Sequence, residues 1–145
     1  MTESGQDYSD EPVIRVDENR ICRLTINSPE SYNALSINCM EALIKEFESL
    51  SKDSSINTII LSGSGRGFCA GHNLKEMLEA GTREFYEKTF KTCSKMMGMI
   101  ADLPQPVIAK VHGIATAAGC QLVATCDLAV AEENAMFATP GVNIG

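Results

Sequence analysis

The residues of this chain best suited to chemistry sit in two glycine-rich turns. Gly63-Ser-Gly-Arg-Gly-Phe-Cys-Ala-Gly-His-Asn-Leu-Lys-Glu-Met77 leaves an apolar segment at 56–61 and enters a charged helix; Val111-His-Gly-Ile-Ala-Thr-Ala-Ala-Gly-Cys-Gln-Leu122 repeats the plan with little but glycine and alanine in its turn. Residues this small let a ligand approach the main chain, and a helix that starts there presents unpaired N–H groups and a partial positive charge. Two such turns can aim two N–H groups at one oxygen. Fixed donors of that kind stabilise a developing oxyanion by about 3–4 kcal/mol each.

Few side chains in these turns can move protons. The imidazole of His72 titrates near neutrality and is a candidate acid or base, although capping or bonding within the turn is the plainer role for it. Cys69 lies near a helix N-terminus, a place that can lower a thiol pKa. Gly65-Arg-Gly67-Phe-Cys-Ala70 also fits the Gly-x-Gly-x-x-Ala fingerprint of dinucleotide sites. Against that reading, the helix begins only at Asn73 and no strand ending in an acid follows at the required distance.

The elements that position these turns alternate strand and helix, the pattern of an α/β domain. Strands are expected at 13–16 and 21–26 around the turn Asp17-Glu-Asn-Arg20, and again at 57–61, 107–111, 128–131 and 136–139. Ser36 caps a helix whose apolar face is Ile37, Met40, Leu43, Ile44, Phe47 and Leu50. Asn73 and Glu76 have capping-box spacing. A helix over 82–101 carries a stripe of Phe85, Phe90, Cys93, Met96, Met97 and Ile100, expected in the core and ended by Pro104 and Pro106. A short helix is expected over 118–125.

At 145 residues and 44% hydrophobic, the chain can bury a core. Its net charge of −7 argues against nucleic acid or an anionic membrane as partner. No apolar run has the length of a membrane span. The first twelve residues carry four acids and no base, so 1–12 is expected to be an acidic disordered leader, neither signal nor transit peptide. Six cysteines include no Cys-x-x-Cys pair, so reduced thiols, with no metal, are expected.

The run Ala115 to Asp127, Ala-Thr-Ala-Ala-Gly-Cys-Gln-Leu-Val-Ala-Thr-Cys-Asp, together with Gly71-His-Asn-Leu-Lys-Glu76, resembles the crotonase (enoyl-CoA hydratase/isomerase) superfamily over residues 13–145. The resemblance implies an α/β fold of the coiled ββα superhelix type shared by ClpP and crotonase. It also implies that 13–145 is the N-terminal portion of a domain whose later helical region, with its trimer contacts, is absent. Relatives form homotrimers or hexamers and bind acyl-CoA as substrate or ligand, without another cofactor. Those most similar to this chain are mitochondrial, so the resemblance implies a mitochondrial protein of fatty-acid metabolism; the acidic start departs from that, so either it is not the full precursor's start or the product is cytosolic.

Residue by residue, the resemblance assigns the oxyanion hole to the N–H groups of His72 and Ala118. It places Ser31, Tyr32, Ala34, Ala70, Asn73, Leu74 and Lys75 around CoA, with Arg66 and Lys110 as further cations nearby. Asp127 and His112 are expected to be structural, Glu76 and Glu79 to be helix-face acids, and Glu132 and Glu133 to form a solvated turn. The two glutamates that handle water and proton in hydratases fall at Gln121 and Gly141. An amide orients water but takes no proton near pH 7, and glycine does neither. Two readings stay open: a hydratase-like enzyme with another base or weak activity, and a non-catalytic acyl-CoA binding or regulatory protein.

Overall fold

The computed structural model describes residues 10–143. Residues 1–9 of the expected leader, and 144–145 at the end of the expected domain, lie outside the described residues. Alternating apolar residues build β1 (Val13–Glu18) and β2 (Ile21–Ile26), an antiparallel hairpin in register from Val13 opposite Ile26 to Glu18 opposite Ile21. The expected four-residue turn is a two-residue one. Asn19 and Arg20 both take positive φ, 52° and 64°, the twist that a tight hairpin requires, and this leaves Asp17 and Glu18 in the ladder.

α1 (Ile37–Leu50) starts where Ser36 Oγ accepts the Cys39 N–H at 3.1 Å, and it buries the six apolar residues its periodicity singled out. β3 (Thr58–Gly63), then α2 (Leu74–Ala80) and α3 (Arg83–Asp102), precede β4 (Val107–Val111). After β5 (Ile114–Thr116) and α4 (Ala118–Thr125) come β6 (Leu128–Ala131) and β7 (Met136–Ala138). The main sheet has the order β1-β2-β3-β4-β6, parallel from β2 onward, and β5 pairs parallel with β7 in a second, two-stranded sheet. Short 3-10 turns occupy Pro29–Ser31 and Pro140–Asn143. β5 went unseen in the sequence because three residues of Ile-Ala-Thr inside a glycine turn carry no readable alternation.

Leu24, Ile26, Ile59, Leu61, Val107 and Ala109 of the sheet are buried under Phe47 of α1 and Met96 and Ile100 of α3. The α3 stripe is buried at Cys93, Met96, Met97 and Ile100, but Phe90 is 51% exposed, and Thr89 is buried in the same turn, its hydroxyl donating to the Phe85 carbonyl at 2.9 Å. Helical period locates a face but not the level at which a partner stops covering it. Leu128, Val130, Met136 and Phe137 of the later strands are exposed as well. Among the described residues all six cysteines are free, and no helix is long and apolar enough to cross a membrane.

One buried amide ties the segment before α1 to the first glycine turn. Asn33, fully buried at φ 57°, donates from Nδ2 to the carbonyls of Ser64 and Gly67, both at 2.8 Å, while its Oδ1 accepts the Ser28 N–H at 2.9 Å. Asparagine tolerates the left-handed conformation better than most residues and its amide both donates and accepts, so one side chain meets all three demands. Asn33→Ala is therefore expected to lower stability by about 2–4 kcal/mol, since these three hydrogen bonds go, with a longer one from the Ser64 hydroxyl to Oδ1 at 3.4 Å, and two carbonyls lose a buried partner. Urea unfolding followed by circular dichroism measures this, with a change below about 1 kcal/mol contradicting the role given to Asn33.

Candidate functional site

The two glycine turns are laced together by their main chains. Phe68 and Cys69 N–H both donate to the Ile114 carbonyl, at 3.0 and 3.2 Å, and Thr116 N–H donates to the Cys69 carbonyl at 3.0 Å. Glycine is required where they touch. A Cβ at Gly113 would strike the Arg66 carbonyl, and one at Gly119 would strike the Cys69 carbonyl. Gly71, at φ 93°, sits closest of all to the start of α4: a Cβ there would lie 3.0 Å from the Thr116 oxygen and 3.1 Å from the Ala118 nitrogen.

This contact sets the start of α4, where Ala118 lies, against the residue that precedes His72. Leu35 bridges His72 as in a parallel ladder, its N–H donating to the Gly71 carbonyl at 2.7 Å and its carbonyl accepting from Asn73 N–H at 3.2 Å. In that pattern the N–H of His72 itself points to the other side. Ala118 is the first residue of α4, where no intrahelical acceptor exists. The Ala118 nitrogen thus lies close to Gly71, the neighbour of His72, and neither N–H has a main-chain partner among the described bonds. Ala117, which delivers the second, is held at φ 52° and ψ −123° while its N–H donates to the Ala138 carbonyl at 2.9 Å.

The Ala117–Ala138 bond also relates the two expected glutamate positions. Gln121 is exposed one turn into α4, its N–H donating to the Ala117 carbonyl at 3.1 Å. Gly141 is exposed in the 3-10 turn three residues beyond Ala138, with no atom within 4 Å of where its Cβ would be. Gly141 has room for a side chain, and a glutamate at 121 would match the size of the exposed Gln121.

Of the residues expected around CoA, the structure gathers some and separates others. The Tyr32 carbonyl accepts the Ala70 N–H at 2.9 Å, and the Arg66 guanidinium stands 5.2 Å from the centre of the Tyr32 ring, within cation–π range. Tyr32, Arg66 and Ala70 line a cavity of about 410 Å³ with Gly113, Ile114, Thr116 and Met136. Ser31, Ala34, Asn73, Leu74 and Lys75 are not on its lining. Ser31 Oγ donates to the Ser28 carbonyl at 3.0 Å, Ala34 is buried, Asn73 Oδ1 caps α2 by accepting the Glu76 N–H at 3.1 Å, and Leu74 is 68% exposed. Lys75 is exposed and lies 3.9 Å from Glu79. Lys110 lines a different cleft, of about 480 Å³, with Ser62, His112 and Glu132.

Several acids do more than the sequence suggested. Glu76 does not close a capping box; its carboxylate accepts the Ile37 N–H at 3.1 Å, joining α2 to the positive end of α1. Glu132 accepts the Gly113 N–H at 2.7 Å, which fixes the second turn, so it is not merely a solvated residue. Asp127 accepts the Val107 N–H at 2.7 Å, and His112 Nε2 lies 2.9 Å from the Gly65 carbonyl, structural roles in both cases. Asn33 was overlooked: an Asn four residues after Pro29 was its sole sequence signal, and the two carbonyls it holds lie more than thirty residues away.

The two titratable side chains of the first turn depart from their ordinary values in opposite senses. Burial pushes the Cys69 thiol up to about 12, outweighing the Gly71 N–H that favours its thiolate; desolvation, and not the helix end, decides it. Burial also lowers the pKa of His72, so its imidazole is neutral at pH 7. Its ring meets Phe90 edge-on, centroids 5.3 Å apart at 84°, and its Nδ1 is buried without a hydrogen-bond partner.

Two expectations follow. At pH 8 a disulfide reagent should modify half-buried Cys120 in the native protein, while Cys22, Cys39 and Cys69, buried and with thiols pushed up to about 12, react only on unfolding; fast labelling of Cys69 would contradict its burial. Ala117→Gly should raise stability by about 1 kcal/mol by relieving the positive φ, to be read from the urea midpoint.

A profile of the enoyl-CoA hydratase/isomerase family matches residues 17–145. The chain is 46% identical over 128 residues to enoyl-CoA hydratase domain-containing protein 3, mitochondrial, of Xenopus laevis, covering 88% of this chain and 44% of that protein. Among solved structures, an enoyl-CoA hydratase of Mycobacterium smegmatis superimposes with TM-score 0.90 at 50% identity, over 94% of this chain and 53% of its own. The human enoyl-CoA hydratase domain-containing protein 3 superimposes with TM-score 0.87 at 42% identity, over 92% and 53%. The chain spans about half the length of these relatives. With two interlocked glycine turns, a mostly parallel sheet that carries them and a family profile matching from Asp17 onward, the chain belongs to the enoyl-CoA hydratase/isomerase family and has its crotonase fold.

Proposed function

We propose that this chain binds acyl-CoA thioesters, the thioester oxygen lying between the N–H groups of His72 and Ala118, and that it serves mitochondrial fatty-acid metabolism. The observation that supports this reading is the close approach of the Ala118 nitrogen to Gly71, next to His72, with neither N–H bonded to the main chain among the described bonds. Drawing electron density from the thioester carbonyl, or adding water across a neighbouring double bond, loads negative charge on that oxygen, and fixed donors need no reorganisation to receive it. Tyr32, Ala70 and Arg66 at the adjoining cavity would meet the CoA portion, Arg66 supplying a cation for phosphate.

Hydration by two carboxylates is not expected to run efficiently here. Gln121 and Gly141 supply no proton acceptor, and each missing role costs roughly 10²–10⁴ in rate. The same two replacements favour a second reading, an acyl-CoA binding or regulatory protein that does not turn its ligand over.

Mixing the protein with crotonyl-CoA and following difference absorbance tests the reading. A stable shift of the enoyl-thioester band, lost in Gly119→Ala because the new methyl meets the Cys69 carbonyl, is the expected result. No shift at saturating protein would remove the oxyanion reading, and a shift that decays would mean working hydration. Because Gly141 has open space and a glutamate matches the size of the exposed Gln121, the double variant Gln121→Glu with Gly141→Glu is expected to hydrate crotonyl-CoA about 10²-fold or more faster than the parent. An unchanged rate would mean that something other than the lost carboxylates limits turnover.

A further inference from the structure

The main sheet is parallel from β2 onward, yet its core lies on one face alone. Ile59, Leu61, Val107 and Ala109 are buried toward α1 and α3, and Arg15 marks the same face of β1 by donating to Glu46 of α1 at 3.2 Å. Side chains one residue on point the other way. The register then draws a continuous row across all five strands of the second face: Val16 opposite Arg23, Arg23 opposite Ile60, Ile60 opposite Ile108, and Ile108 opposite Leu128. Four of these five residues are apolar and none is buried, with Val16 42% exposed and Leu128 62%. Parallel strands occur almost only where both faces are covered, and this row has the composition of a covered face.

Charge selects what covers it. The chain carries −7 overall, but the strands bring one acid to this face, Glu18, which pairs with Arg23 at 3.6 Å, and one cation without an ion pair among the described residues, Lys110. A second copy can therefore approach here without the repulsion that the acidic remainder of the surface imposes. The strand order is also self-complementary. Turning a second copy about a twofold axis along β3, as in aligned sheet packing, sets β1 over β6 and β2 over β4. Val16 of one copy then meets Leu128 of the other, Ile60 meets its own counterpart, and Arg23 lies over Ile108, so no charge faces a like charge. The neighbouring row lays Ile14 and Thr25 over Val130 and Lys110, at the cleft of about 480 Å³ that Ser62, Lys110 and Val130 line.

We propose that a second copy of this chain docks on the uncovered face of the main sheet, in a twofold sheet-on-sheet dimer with Ile60 on the axis. Strands about 4.8 Å apart, rising about 3.3 Å per residue, give this face roughly 400–500 Å² per copy, the size of a weak and reversible interface. The dimer requires no acyl-CoA.

Sedimentation equilibrium over about 10–500 µM should show the parent passing from monomer to dimer. Ile60→Arg, which sets two cations against each other on the axis, should raise the dissociation constant about tenfold or more, whereas Leu78→Lys, on an exposed site of α2, should leave it unchanged. Val16→Glu and Leu128→Lys should each weaken self-association, yet an equimolar mixture of the two should dimerise again, because position 16 of one copy meets position 128 of the other in this arrangement. A parent that stays monomeric throughout, an assembly of three or more copies without a dimer, a dimer indifferent to Ile60→Arg, or a mixture of folded variants that associates no better than its components overturns the proposal. If the variants misfold, methyl NMR of the parent decides: signals of Val16, Ile60, Ile108 and Leu128 should move with concentration while those of Leu78 stay, and concentration-dependent shifts confined to other residues overturn it.

Discussion

The buried amide of Asn33 is the constraint on which the arrangement rests. A turn of Gly-Ser-Gly-Arg-Gly has little reason of its own to hold one shape, because glycine loses more freedom on ordering than any other residue. Asn33 holds two of its carbonyls while anchoring itself to the Ser28 N–H. Just beyond it, Leu35 bonds the residues either side of His72. The loop before α1 thus serves as a template for the first turn, the first turn for the second through Cys69 and Ile114, and the second turn for the start of α4. Two segments over forty residues apart are held together by hydrogen bonds that are almost all between main chains.

Much of this was legible in the sequence, and what was not has a common cause. The faces of α1, the parallel strands and both glycine turns follow from period, β-branching and small residues, all local signals. Phe90, Glu76, Glu132 and Asn33 were misjudged or passed over because what decides each is a distant partner: whether anything covers one level of α3, or which backbone N–H lies within reach of a carboxylate. The capping-box spacing of Asn73 and Glu76 was real for the asparagine alone. Glu76 had a better partner in the start of α1, where a carboxylate meets an unpaired N–H and a favourable dipole. Cys69 shows the same limit in electrostatics, since proximity to a helix end is visible in sequence and depth of burial is not.

Resemblance carried the candidate site further than the residues alone, and unevenly. The family's profile matches the stretch that contains both turns, and the fold agrees with solved relatives. The edge expected to hold CoA is only partly assembled around one cavity, with Tyr32 and Ala70 joined by Arg66 while Lys75 lies on an exposed helix face. Arg66 is the cation whose position suits a phosphate best, because Tyr32 restrains it and no carboxylate neutralises it among the ion pairs described. Lysine at 75, by contrast, sits within reach of Glu79, which reduces what it can offer an anion.

A hole built from main-chain atoms separates two demands that side-chain catalysis would merge. Polarising an oxygen depends on φ, ψ and the close approach of Gly71 to Ala118, and the side chain borne at position 72 does not enter. Proton transfer depends on carboxylates, which at positions 121 and 141 can be lost without disturbing the turns, because Gln121 is exposed and nothing contacts the missing Cβ of Gly141. On the proposed reading, binding by the main chain does not depend on carboxylates at these two positions, nor on which side chain position 72 carries. The geometry independent of those side chains is the geometry held by Asn33 and by the glycines, which is where a substitution would disturb both turns at once.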